Sequence, residues 1–144
     1  MTMSIAPYLL LDGNAKEVIE FYSDVFDTKA ESMELYKDWP QEMGTTIPEG
    51  YEDKIMHASL TIGSSTLMFA DTYPGQTYTP GTVITLMLDV ETVSDAEVLF
   101  EKLSDGGEVM IPLGETSFSP GYAQVKDKFG MEWQIVTDSP EMNE

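Results

Sequence analysis

The 144-residue chain has no cysteine, no arginine and a single histidine. Without cysteine there are no disulfides, no thiolate metal sites and no cysteine nucleophile. Without arginine the chain lacks the bidentate fork that grips phosphate and carboxylate groups. Cations are scarce altogether: seven lysines stand against 26 Asp plus Glu, a net charge of −19. Nucleic-acid binding replaces phosphate counterions with basic side chains, so this balance excludes it. Anionic membrane surfaces are excluded as partners on the same ground. Long hydrophobic runs are also missing, with no stretch near the roughly 20 apolar residues of a membrane span. The start, Met1 to Pro7, has no basic segment of the kind that opens a secretory leader. What is present is a 42% hydrophobic composition at the length of one ordinary domain. The expectation is one soluble, cytoplasmic globular domain.

Turn chemistry and periodicity divide the chain. Ile5 to Leu11 is an apolar run closed by Asp12-Gly13-Asn14, a strand and a turn. Asn14 is placed to cap a helix with Glu17 as its capping partner. Ala15, Val18, Ile19, Tyr22 and Phe26 then recur at helical spacing. Lys29 to Lys37 alternates weakly, as a second strand. Asp38 to Glu52, with two prolines and two glycines, reads as a long loop. Lys54–Ile62 and Thr66–Ala70 flank Gly63-Ser64-Ser65 and predict a hairpin. Asp71 to Gly81 is a connector.

The order then repeats. Thr82 to Val90 is a strand, Thr92 opens a helix with Ala96, Leu99, Phe100 and Leu103 inward, and Gly106-Gly107 stops it. Val109–Pro112, Tyr122–Lys126 and Met131–Thr137 follow as strands. The fold class expected is α+β, as two βαβββ modules. The first covers about residues 1–72, a linker about 73–81 and the second about 82–138, with a polar tail at 139–144.

Alternation along each strand sorts side chains onto two faces. Met56, Ala58, Leu60, Ile62, Leu67 and Phe69 belong under the first helix. Ile84, Leu86, Leu88, Ala123, Val125, Trp133 and Ile135 belong under the second. The opposite faces receive Ile55, His57, Ser59, Thr61, Met68, Thr85, Met87, Tyr122, Gln124 and Gln134. An antiparallel sheet commonly leaves one face to water. A plain solvent face, however, is rich in Lys and Glu, and this mixture is that of a small-ligand pocket.

Several motifs carry a resemblance across essentially the whole chain. A strand followed by Asp12-Gly13-Asn14-Ala15, Phe21-Tyr22 and Val25-Phe26 resembles the first module of the vicinal-oxygen-chelate superfamily, which includes glyoxalase I, bleomycin-resistance proteins and extradiol dioxygenases. Pro7-Tyr8, Lys54-Ile55-Met56-His57-Ala58, Pro112-Leu113-Gly114-Glu115-Thr116 and Asp127-Lys128-Phe129-Gly130 resemble its PhnB-like subfamily. The resemblance implies a cup-shaped mixed sheet with helices on its convex face, usually completed by a dimer. It does not imply one reaction, because the fold hosts several.

Metal-dependent members of that superfamily point four His, Glu or Gln side chains into the cup. Carried over, those places fall on Pro7 or Tyr8, Met68, Thr85 and Gln134. Only Gln134 is a donor of the right kind for zinc or nickel. The expectation is therefore no metal and no cofactor. A homodimer is expected to bind a small, largely apolar ligand among Tyr8, His57, Ser59, Met68, Thr85, Met87, Gln124 and Gln134, with Trp39 of the long loop as a lid. The alternative is a lyase, isomerase or dioxygenase-type enzyme. It would use His57 as acid/base, or hold an unconventional metal at His57, Gln134 and a carboxylate. A lone histidine also suits a packing role. Phosphonates fit poorly, since an arginine-free chain at −19 is a weak anion receptor.

Overall fold

A computed structural model describes residues 1–38, 47–73 and 75–138. The chain divides into two compact units, Met1–Thr79 and Pro80–Glu144. Among the described residues, each contains a four-stranded mixed sheet and one α-helix. The first runs β1 (Tyr8–Leu11), α1 (Ala15–Val25), β2 (Ala30–Leu35), β3 (Ile55–Ile62) and β4 (Ser65–Asp71). The second repeats that order with β5 (Leu86–Val90), α2 (Val93–Ser104), β6 (Glu108–Gly114), β7 (Tyr122–Lys126) and β8 (Glu132–Thr137). The sheets are ordered β1-β4-β3-β2 and β5-β8-β7-β6. In both, the first strand lies parallel to the last and the remaining pairings are antiparallel. These are two βαβββ modules.

Alternation governs the cores. Ala58, Leu60, Leu67 and Phe69 are buried in the first unit with Ala15, Val18, Ile19 and Tyr22 of α1. Ala123, Val125, Trp133 and Ile135 are buried in the second with Ala96 and Leu103 of α2. Leu99 and Phe100 are half-buried on the same helix stripe.

Several strand boundaries differ from those expected. β5 starts at Leu86 rather than Thr82, and Ile84 is 71% exposed instead of lying under α2. Leu86 pairs with Trp133, near the start of β8. Before Glu132 the partner chain turns, so β-forming residues 82–84 have no ladder to join. Similarly, β1 starts at Tyr8 rather than Ile5. The Pro7 carbonyl accepts from Met68 N–H at 3.1 Å, but Pro7 has no N–H to return. Ile55, assigned by alternation to the polar face, is fully buried. A register shift between Glu34 and Leu35 lies opposite this start of β3.

The cap of α1 is another correction. Asn14 occupies the N-cap position, but its side chain makes no capping hydrogen bond. Instead the Asp71 carboxylate accepts from Ala15 N–H at 2.9 Å through one oxygen and from Ile55 N–H at 2.8 Å through the other. Asp71 is thus the buried end of β4. It satisfies a helix-end donor and starts β3 at once. α2 has the local cap expected, with Thr92 Oγ1 accepting from Asp95 N–H at 3.0 Å. Gly106, at φ +75°, then turns the chain toward β6. At Gly107 a Cβ would lie 2.2 Å from the Lys126 carbonyl oxygen, which only glycine tolerates.

Candidate functional site

Each sheet has a face turned away from its helix. On the first, Tyr8 OH lies 3.0 Å from His57 Nδ1 with ring centroids 5.7 Å apart and planes at 47°. Tyr8 comes from β1 and His57 from β3, so the contact crosses β4. Met68 of β4 is the register partner of both Tyr8 and Ser59. Ser59 Oγ lies 3.1 Å from Ser32 Oγ on β2. Glu34, the next β2 residue of that parity, is directly opposite His57. Burial, and secondarily the charge of Glu34, push the Tyr8 phenol above its ordinary pKa. The Tyr8 hydroxyl and His57 Nδ1 share one proton, and which of them donates follows the imidazole tautomer.

On the second sheet four polar side chains form a row. Gln124 Nε2 donates to Tyr122 OH at 2.7 Å, Tyr122 OH donates to Gln134 Oε1 at 2.5 Å, and Gln134 Nε2 donates to Thr85 Oγ1 at 2.9 Å. Met87 is the register partner of Gln134. Phe118 stands edge-on to Tyr122 with centroids 5.0 Å apart. Such a connected row fixes the direction of each amide and hydroxyl.

The expected residues thus fall into two sets: Tyr8, His57, Ser59 and Met68 on the first sheet, Thr85, Met87, Gln124 and Gln134 on the second. Trp39 lies outside the described residues. Ser32, Glu34, Tyr122 and Phe118 were not among the candidates. Alternation does place Tyr122 on the polar face, beside Gln124. Ser32 and Glu34 sit in the weakly alternating second strand, and only their pairing with Ser59 and His57 identifies them.

A tyrosine cluster anchors the edge of the first unit. Tyr36 OH donates to the Asp71 carbonyl at 2.8 Å, Tyr51 OH donates to the Thr72 carbonyl, and the two rings lie 4.9 Å apart. Burial foremost, then the neighbouring phenols and Asp71, pushes Tyr36 up to about 12. These hydroxyls are spent on backbone carbonyls and serve the fold.

The family's metal positions can be tested on donor chemistry. Aligning the registers on Leu11 with Asp71 and Val90 with Thr137 matches Tyr8 to Met87 and Met68 to Gln134. The side chains there are a phenol, two thioethers and a carboxamide, with the Thr85 hydroxyl hydrogen-bonded to the last. This set does not fit zinc or nickel. Among the described residues, no group of three or more His, Asp or Glu gathers as a metal-binding cluster. Neither strand-to-helix junction resembles a nucleotide-binding turn, because Asp71 fills the start of α1 and Thr92 caps α2.

Residues 3–136 match the family model described as 3-demethylubiquinone-9 3-methyltransferase. The chain belongs to this family. The YjdN protein of Escherichia coli K12 is 29% identical over 92% of this chain and 94% of its own length. Among solved structures, protein PA1353 of Pseudomonas aeruginosa is 32% identical over 95% of this chain and 98% of its own, with a TM-score of 0.83. The PhnB protein of Bacillus cereus is 27% identical over 94% and 99%, with a TM-score of 0.76. A glyoxylase/bleomycin resistance protein/dioxygenase domain from Frankia, 14% identical over 96% and 99% with a TM-score of 0.65, shares the fold. The 3-demethylubiquinone-9 3-methyltransferase family therefore joins the vicinal-oxygen-chelate fold here, as the motifs implied.

Proposed function

We propose that this family member is a small-molecule binding protein in which a polar sheet face holds a small, largely apolar ligand without the metal usual to the fold. The observation that carries the reading is the hydrogen-bonded lining: Tyr8 with His57, and Gln124 through Tyr122 and Gln134 to Thr85. Water would keep these groups satisfied individually. Connected rows flanked by Met68 and Met87 instead provide fixed polar handles beside apolar surface.

The protein works as a homodimer in the cytoplasm. β6 is an edge strand on which Val109, Met110 and Ile111 are exposed in succession, so apolar groups lie open on both of its faces. A second copy covering them is the simplest closed assembly. Among the described residues no helix is long and apolar enough to cross a membrane.

The Tyr8–His57 contact also favours a second reading, an enzyme in which His57 exchanges a proton with a bound substrate.

Protein purified without added metal is expected to contain no stoichiometric zinc or nickel, and chelator is expected to leave its melting temperature unchanged. Elemental analysis checks this. A metal-to-chain ratio near one would overturn the metal-free reading.

A further inference from the structure

We propose that the polar face of the first sheet is a receptor for a protonated amine carried on a ring-sized apolar body. This rests on the small-molecule reading above and adds the charge of the ligand. The four strands of this sheet contain no lysine. Their polar face nevertheless carries Glu34, directly opposite His57, and Glu31, whose carboxylate accepts from the Thr61 hydroxyl. The second sheet differs, because Lys126 stands directly opposite Glu132. The lysine side chains nearest in sequence to β3 are engaged elsewhere: Lys37 pairs with Asp53 at 3.5 Å, and Lys54 Nζ donates to the Gly13 carbonyl at 2.8 Å.

Glu34 is accordingly an anion on a sheet whose four strands carry no lysine, beside two rings whose orientation the Tyr8–His57 hydrogen bond holds. An ammonium group is attracted by a carboxylate and by the face of a tyrosine ring. Its N–H groups can also donate to the Ser32 and Ser59 hydroxyls, which lie one register step away. Met68, between Tyr8 and Ser59, offers a polarisable surface for the apolar body. An anionic ligand would meet Glu31 and Glu34 and the field of a chain at −19. The same field draws cations in.

His57 is the only histidine, so its imidazole protons report on this face alone. Benzylamine, benzyl alcohol and benzoate share a ring and differ in charge. Each would be titrated into the intact protein at fixed pH and low salt while the His57 proton resonances are followed. Benzylamine is expected to shift them saturably and to bind about tenfold more tightly than the alcohol, with benzoate leaving them unmoved. Glu34→Gln is expected to bring benzylamine down to the affinity of the alcohol and to leave the alcohol unchanged. Benzoate binding as well as benzylamine, or equal benzylamine affinity in Glu34→Gln, would overturn the proposal. Equal binding of alcohol and amine would overturn the charge assignment and leave the small-molecule reading standing. If none of the three moves the resonances, both fail on this face.

Discussion

Trp133→Ala is expected to destabilise the second unit by about 3–5 kcal/mol, whereas Gln134→Leu, one residue on, is expected to cost no more than about 1–2 kcal/mol. Trp133 is 2% exposed beneath α2, and its indole N–H donates to Asp127 at 2.9 Å. Truncation opens a cavity and also removes a donor from a buried carboxylate whose other oxygen accepts from Phe129 and Met131 N–H. Gln134 points the other way. Leucine keeps its approximate volume, and the Tyr122 hydroxyl retains its bond from Gln124. Urea melts of the two variants compare the costs. A silent Trp133→Ala beside an unfolded Gln134→Leu would reverse the assignment of faces.

Asp71→Ala is expected to cost about 3–5 kcal/mol, because two buried backbone donors, Ala15 N–H and Ile55 N–H, lose their acceptor together. Asp71→Asn should fall between this variant and the parent, since its amide retains one acceptor oxygen. Thermal melts of the three proteins check the order. A parent-like melt for Asp71→Ala would show that the carboxylate does not hold the start of α1 to β3.

The duplication and both core faces were legible because period-two and period-3.6 patterns follow directly from strand and helix geometry. Leu67 with Phe69, and Trp133 with Ile135, needed nothing more. Contacts made across distant segments were not legible. Asp71 caps a helix that begins 56 residues earlier, and its own neighbourhood reads as a connector. Strand propensity at 82–85 predicts a conformation but not a partner, and the ladder with β8 ends at Leu86. In the candidate site, alternation placed His57, Ser59, Gln124 and Gln134 away from the helices, and the family resemblance supplied Tyr8. Register was needed to show that Tyr8 reaches His57 across β4 and that Glu34 faces His57. Tyr122 carried the right parity, but only the hydrogen bonds reveal that it links the two glutamines.

Native mass spectrometry of protein purified without added metal tests the central claim most directly. The account predicts a two-chain assembly carrying an organic small molecule, released on denaturation and lost from a Tyr8→Phe, Gln134→Leu double variant that still folds. A bare assembly, or one whose only added mass is a metal ion on each chain, would contradict it.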